Sequence, residues 1–107
     1  MPLIALCAIG AAAGGGQVAA SQASGKTVTL RDIAFSPKNQ SISRDTTVTF
    51  SWRDENTSHN VTSTGAKRFT AIPDRQTGSR SRRFTKAGTY RYVCTLHPGM
   101  SGRITVR

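Results

Sequence analysis

Beyond Gly25 the apolar residues recur with period two in a series of short runs, and helical spacing is absent. The pattern is cleanest over Thr46 to Asp54, where Val48, Phe50 and Trp52 share one face while Thr47, Thr49, Ser51 and Arg53 share the other. A strand with one buried face reads this way, and the alternation predicts a half-buried antiparallel strand. Similar runs cover Thr27 to Ile33, Ser41 to Ser43, His59 to Thr64, Ser79 to Phe84, Thr89 to Cys94 and Arg103 to Val106. They are separated by turn-forming residues at Arg44–Asp45, Gly65, Pro73–Asp74, Gly78, Lys86–Ala87–Gly88 and Pro98–Gly99. Short strands at these intervals predict an all-β sandwich of about seven to eight strands. The segment from Lys67 to Gly78 has the least pattern and is expected to be a loop crossing between the sheets.

A chain of 107 residues allows one small domain. Residues 1–23 contain the apolar run PLIALCAIGAAA, followed by glycines and small residues that suit cleavage after Ala20 or Ala23. The run is too short to span a bilayer. It is expected to be a secretory signal, although no Lys or Arg precedes it, and it leaves residues 24–107 as a domain exported to the periplasm or cell exterior. The mature domain then has one cysteine, Cys94, because Cys7 departs with the signal. Small exported domains gain stability from disulfides or metals, so a lone thiol in an oxidising compartment points to a metal.

The chemistry is concentrated in GTYRYVCTLHPGMSGRITV, residues 88–106. Cys94, His97 and Met100 stand three apart between the last two strands, so one tight turn, given room by Gly99 and Gly102, can aim them at one point. Thiolate and thioether are soft donors suited to copper, and two His with one Cys and a weak axial Met is the composition of a mononuclear blue-copper site. The second imidazole must be His59, the only other histidine in the chain. Zinc also accepts Cys and His, but the thioether argues against it as the resident metal.

These residues resemble the cupredoxins of the plastocyanin and amicyanin group. The likeness is carried by Asp-Thr-Thr-Val-Thr-Phe (45–50), Ser-His-Asn-Val (58–61), Gly-Thr-Tyr-Arg-Tyr-Val-Cys (88–94) and His-Pro-Gly-Met-Ser-Gly (97–102). The Cys-x-x-His-x-x-Met spacing is similar to the short ligand loop of amicyanin. The resemblance implies a Greek-key cupredoxin-like sandwich with His59, Cys94 and His97 as strong ligands and Met100 as the long axial one. It also implies that Asn60 holds the ligand loop by hydrogen bonds, and that electrons leave through the second histidine within an apolar patch, to which Leu96, Pro98 and Pro37 are expected to contribute. The function so implied is a mobile one-electron carrier using one copper, a monomer that exchanges electrons with a protein donor and a protein acceptor.

Two other readings use the same sequence. A copper-delivery protein would hold the ion without redox turnover, and a metal-free module would bind polyanions through its charge. Fifteen Lys and Arg oppose five Asp and Glu, a net charge of +10, and residues 1–24 carry none of it. Eight basic residues against the single acid Asp74 fall between Lys67 and Arg91. Such a field favours acidic docking surfaces and salt-dependent association. No nucleic-acid motif or aromatic stacking platform is present, so nucleic acid is not an expected partner. With both histidines assigned to one site, none remains for a catalytic triad, and no enzymatic activity is expected. Trp52 and Phe50 are expected in the core, and the two glycosylation patterns at Asn56 and Asn60 are discounted as short chance matches.

Overall fold

A computed structural model describes residues 25–107, and the expected signal segment, residues 1–23, lies outside the described residues. The described chain is all strand and turn. Nine strands run in order: β1 (Gly25–Arg31), β2 (Ala34–Ser36), β3 (Asn39–Ile42), β4 (Thr46–Trp52), β5 (His59–Thr64), β6 (Ile72–Arg75), β7 (Gly78–Phe84), β8 (Gly88–Val93) and β9 (Ser101–Val106). They form a four-stranded sheet, β2-β1-β4-β7, and a five-stranded sheet, β3-β9-β8-β5-β6.

Both sheets are mixed, which corrects the antiparallel expectation for Thr46 to Asp54. Strand β4 lies parallel to β1, with Val28 opposite Phe50 and Leu30 opposite Trp52, and antiparallel to β7. In the other sheet β9 runs antiparallel to β8 and parallel to β3. Alternation reports which face is buried and is blind to the direction of the neighbour, so the pattern alone could not decide this.

The two inner faces meet in the expected core. Val28, Leu30, Val48, Phe50 and Trp52 from one sheet oppose Ile42, Val61, Tyr92, Ile104 and Val106 from the other, and all are buried. Tyr92 stands at the centre, edge-on to Phe35 at 4.8 Å and to Phe50 at 5.5 Å between ring centroids. Tyr90 lies nearer the rim, where its hydroxyl donates to the Lys86 carbonyl at 2.8 Å and fixes the turn before β8.

The segment from Lys67 to Gly78 is not wholly a loop. Its residues Ile72–Arg75 form β6, an edge strand against β5, with Val61 opposite Ile72 and His59 opposite Arg75. Pro73 and Asp74 disguise it, but an edge strand tolerates a residue without an N–H, and only Gln76 and Thr77 are left to cross to the other sheet. Phe69 and Arg82 hold the preceding stretch down. Phe69 packs on Phe84 at 5.3 Å, while the Arg82 guanidinium donates to the carbonyls of Thr70, Ala71 and Ser81.

The first predicted strand stops two residues early. Asp32 and Ile33 both have φ of 57° and make a two-residue turn from β1 to β2. Such turns favour Asn-Gly or Asp-Gly because both central residues must be left-handed, a conformation that is costly for a β-branched side chain. Ile33 is also 52% exposed, so packing returns little. Ile33→Gly is therefore expected to stabilise the domain. Relief of about 1–2 kcal/mol of left-handed strain exceeds the roughly 0.5–1 kcal/mol of added chain entropy, and a urea melt checks the sign.

Candidate metal centre

The loop from Cys94 to Met100 is a closed turn. The Cys94 N–H donates to the Met100 carbonyl at 3.0 Å, His97 N–H to the Cys94 carbonyl at 3.3 Å, and Met100 N–H to the His97 carbonyl at 3.0 Å. Gly99, at φ +91°, supplies the left-handed residue the turn needs. Gly102 has another role than the one expected of it. It sits within β9, where a Cβ would lie 2.5–2.6 Å from the Tyr92 ring, so it serves packing and not the loop.

The loop brings Cys94 and His97 to the end of the sandwich where β5 begins with His59. The donor atoms of His59, Cys94 and His97 all lie within 4.8 Å of one another, a cluster the size of one ion's coordination shell. His59 Nδ1 is 3.9 Å from Cys94 Sγ, and the two imidazole rings are 4.9 Å apart. His59, Cys94 and Met100 are buried and His97 is half-buried. Leu96 beside it is 45% exposed, and Pro98 and Pro37 are exposed as well.

Each imidazole is oriented through its far nitrogen. His59 Nε2 donates to the Asp54 carboxylate at 2.8 Å, and His97 Nε2 donates to the Ser58 carbonyl at 3.1 Å, which in both rings leaves Nδ1 with its lone pair for a metal. The His59 carbonyl accepts the Trp52 indole N–H at 2.9 Å, so the strand carrying the imidazole is tied to the core. Asn60 N–H approaches Cys94 Sγ at 3.4 Å, a hydrogen bond that stabilises charge on sulfur.

The Asn60 side chain is the joint between β5 and the ligand loop. Its Oδ1 accepts from Thr95 N–H at 3.1 Å and from the Thr62 hydroxyl at 2.9 Å, and its Nδ2 donates to Thr95 Oγ1 at 2.7 Å and Asp74 Oδ1 at 2.9 Å. Asp54, Asp74, Thr95 and Ser58 escaped the sequence reading, because a carboxylate or carbonyl behind a ligand obeys no spacing rule. The one available signal for Asp54 was its place in the loop directly before His59.

The hydrogen bond from His59, foremost, holds the Asp54 carboxyl below its ordinary value of 3.8, helped by the N–H groups of Asp32 and Ile33 and opposed by partial burial. A lowered carboxyl stabilises the fold above its unfolded value, and the gain vanishes as pH falls through the lower folded value. The stability advantage of the metal-free protein over Asp54→Asn is therefore expected to be full near neutrality and to shrink below about pH 3.8. Paired urea melts across that range check it.

One thiol, two imidazoles presenting Nδ1 and a buried thioether on the same loop fit copper better than any hard cation. A model of the copper-binding proteins of the plastocyanin/azurin family matches residues 22–107. An amicyanin variant solved in its Cu(I) form is similar in structure, with a TM-score of 0.71 and 26% identity over 78% of this chain and 83% of that one. A purple cupredoxin from Nitrosopumilus maritimus has a TM-score of 0.67 and 26% identity, covering 76% of this chain and 98% of the other. A copper-containing nitrite reductase from Thermus scotoductus SA-01 has a TM-score of 0.65 and 31% identity, but this chain spans only 22% of it. No curated protein matches the chain. The family match takes in every described residue and agrees with the donors gathered at one end of the sandwich; this chain belongs to the plastocyanin/azurin family of copper-binding proteins.

Proposed function

We propose that the domain is a small mobile one-electron carrier whose His59, Cys94, His97 and Met100 hold one type 1 copper. Bound copper would supply the Cu(I)/Cu(II) couple. The observation that carries the reading is the convergence of the Cys94 thiol and the His97 imidazole, both carried on a closed, hydrogen-bonded loop, with the His59 imidazole at the start of β5. Three backbone hydrogen bonds and the Asn60 joint fix the loop in advance, so the donors need little rearrangement when the charge at the site changes. His97 reaches the surface beside exposed Leu96 and Pro98, which supports exchange of electrons through its ring edge with a docked protein.

Both histidines of the chain are used in this one cluster, so a second copper centre of the kind a two-centre enzyme requires has no imidazole here. A carrier is favoured over an enzyme on that ground. The apolar run ahead of the domain supports export, and the net charge of +10 supports acidic partners.

The test is the visible and electron paramagnetic resonance spectrum after one equivalent of Cu(II), beside Cys94→Ser. An intense thiolate-to-copper band with a small parallel hyperfine splitting is expected, and its absence in the variant. A pale, tetragonal spectrum from the parent protein would sink the site. Reversible voltammetry with fast electron self-exchange would then support the carrier, whereas slow exchange with transfer of the ion to an apo-protein would favour delivery.

A further inference from the structure

Most of the positive charge near β7 is already committed. Arg82 is held by three carbonyls, Arg83 pairs with Asp45, and Arg68 donates to the Gly65 carbonyl. The outer face of the five-stranded sheet is different. Arg91 on β8 and Arg103 on β9 are direct cross-strand partners, flanked in the same row by Thr64 on β5 and Asn39 on β3. Their neighbours Tyr90, Tyr92, Gly102 and Ile104 are buried, so the alternation turns both guanidinium groups outward.

Two like charges placed directly opposite each other destabilise a sheet. Among the described residues neither arginine, nor the adjacent Lys38, has a side-chain hydrogen bond or a carboxylate partner to offset that cost. Four of the five acids are engaged elsewhere, Asp32 with Arg31, Asp45 with Arg83, Asp54 with His59 and Asp74 with Asn60, and Glu55 stands beside Asp54 in the chain, in the loop before β5. The three cations instead surround an open cavity of about 370 Å³, to which Thr64, Ser101 and Asn39 add polar groups.

We propose that this cavity binds a small polyvalent oxyanion of the sulfate or phosphate type, held between the Arg91 and Arg103 guanidiniums with Lys38 as the third charge. Planar guanidinium forks match tetrahedral oxyanions in bidentate fashion, and a bound dianion turns the like-charge pair from a cost into a clamp. The site is independent of the metal, since none of the three is a candidate metal donor.

Sulfate titrated into the full chain, followed by amide NMR at constant ionic strength against chloride, tests the proposal. Saturable shifts are expected at Thr64, Arg91, Ser101 and Arg103. Arg91→Gln with Arg103→Gln should weaken binding at least tenfold, while Arg53→Gln with Arg80→Gln, which removes the same charge elsewhere, should not. The anion-free Arg103→Gln protein should melt above the parent, and sulfate should raise the parent's melting temperature but not that of the double variant. Shifts that grow linearly without saturating, or that fall equally in both pairs, would reduce the effect to diffuse screening and overturn the site.

Discussion

Asn60→Ala should lower the stability of the metal-free domain by about 2–4 kcal/mol and hasten loss of bound copper. Four side-chain hydrogen bonds end at this one amide, two to Thr95 and one each to Thr62 and Asp74. A single bond contributes roughly 1 kcal/mol net, and an orphaned buried group costs more. Asn60 is itself 5% exposed, but Thr95 and Asp74 are exposed and recover water, which keeps the figure below that of a wholly buried network. In a domain this small each kcal/mol is about 4–8 °C of melting temperature, so the shift is readily seen. Thr95 follows Cys94 directly, so cutting the joint frees the ligand loop from β5. Outer groups that orient ligands typically affect affinity by about 10–100-fold, and a chelator competition should read a loss of that size. An unchanged melting temperature would show that water replaces the amide at no cost and that the closed turn alone holds the loop.

The contrast between His59 and Asp54 explains which parts of this protein were legible in its sequence. Donor types are chemically scarce, and with two histidines and one late cysteine the chain offered a single way to assemble a thiolate with two imidazoles. The structure places those three together. Asp54 is one of five acids, and its role depends on a ring nitrogen brought to it by the fold. Core positions were legible for a different reason: Val48, Phe50 and Trp52 alternate because a sheet has two faces, and all three are buried. Strand β6 was missed because Pro73 and Asp74 read as a turn when judged alone, although an edge position next to β5 suits them. The Arg91–Arg103 pair was invisible because register, unlike alternation, is set by turn lengths and neighbours.

Gly102→Ala is expected to cost about 1–3 kcal/mol, toward the upper end, by overpacking the centre of the core. The added Cβ would meet Tyr92 Cε2 at 2.5 Å and Cζ and Oη at 2.6 Å. The ring cannot retreat, because it is fully buried and wedged edge-on between Phe35 and Phe50. The strands must part instead, and β8 leads straight into Cys94, so the copper-loaded variant should also show a displaced thiolate band. Tyr92→Phe separates the ring from its hydroxyl. Burial pushes the Tyr92 phenol upward in pKa, and its oxygen has no hydrogen-bond partner among the described residues. Losing that oxygen is therefore expected to leave stability unchanged or raise it by about 1 kcal/mol. Because the same oxygen is one of the three atoms in the clash, the two changes should couple: Gly102→Ala in the Tyr92→Phe background should cost less than in the parent. Equal costs in both backgrounds would locate the strain at the ring carbons alone, and no cost in either would mean that β8 and β9 separate freely at this point.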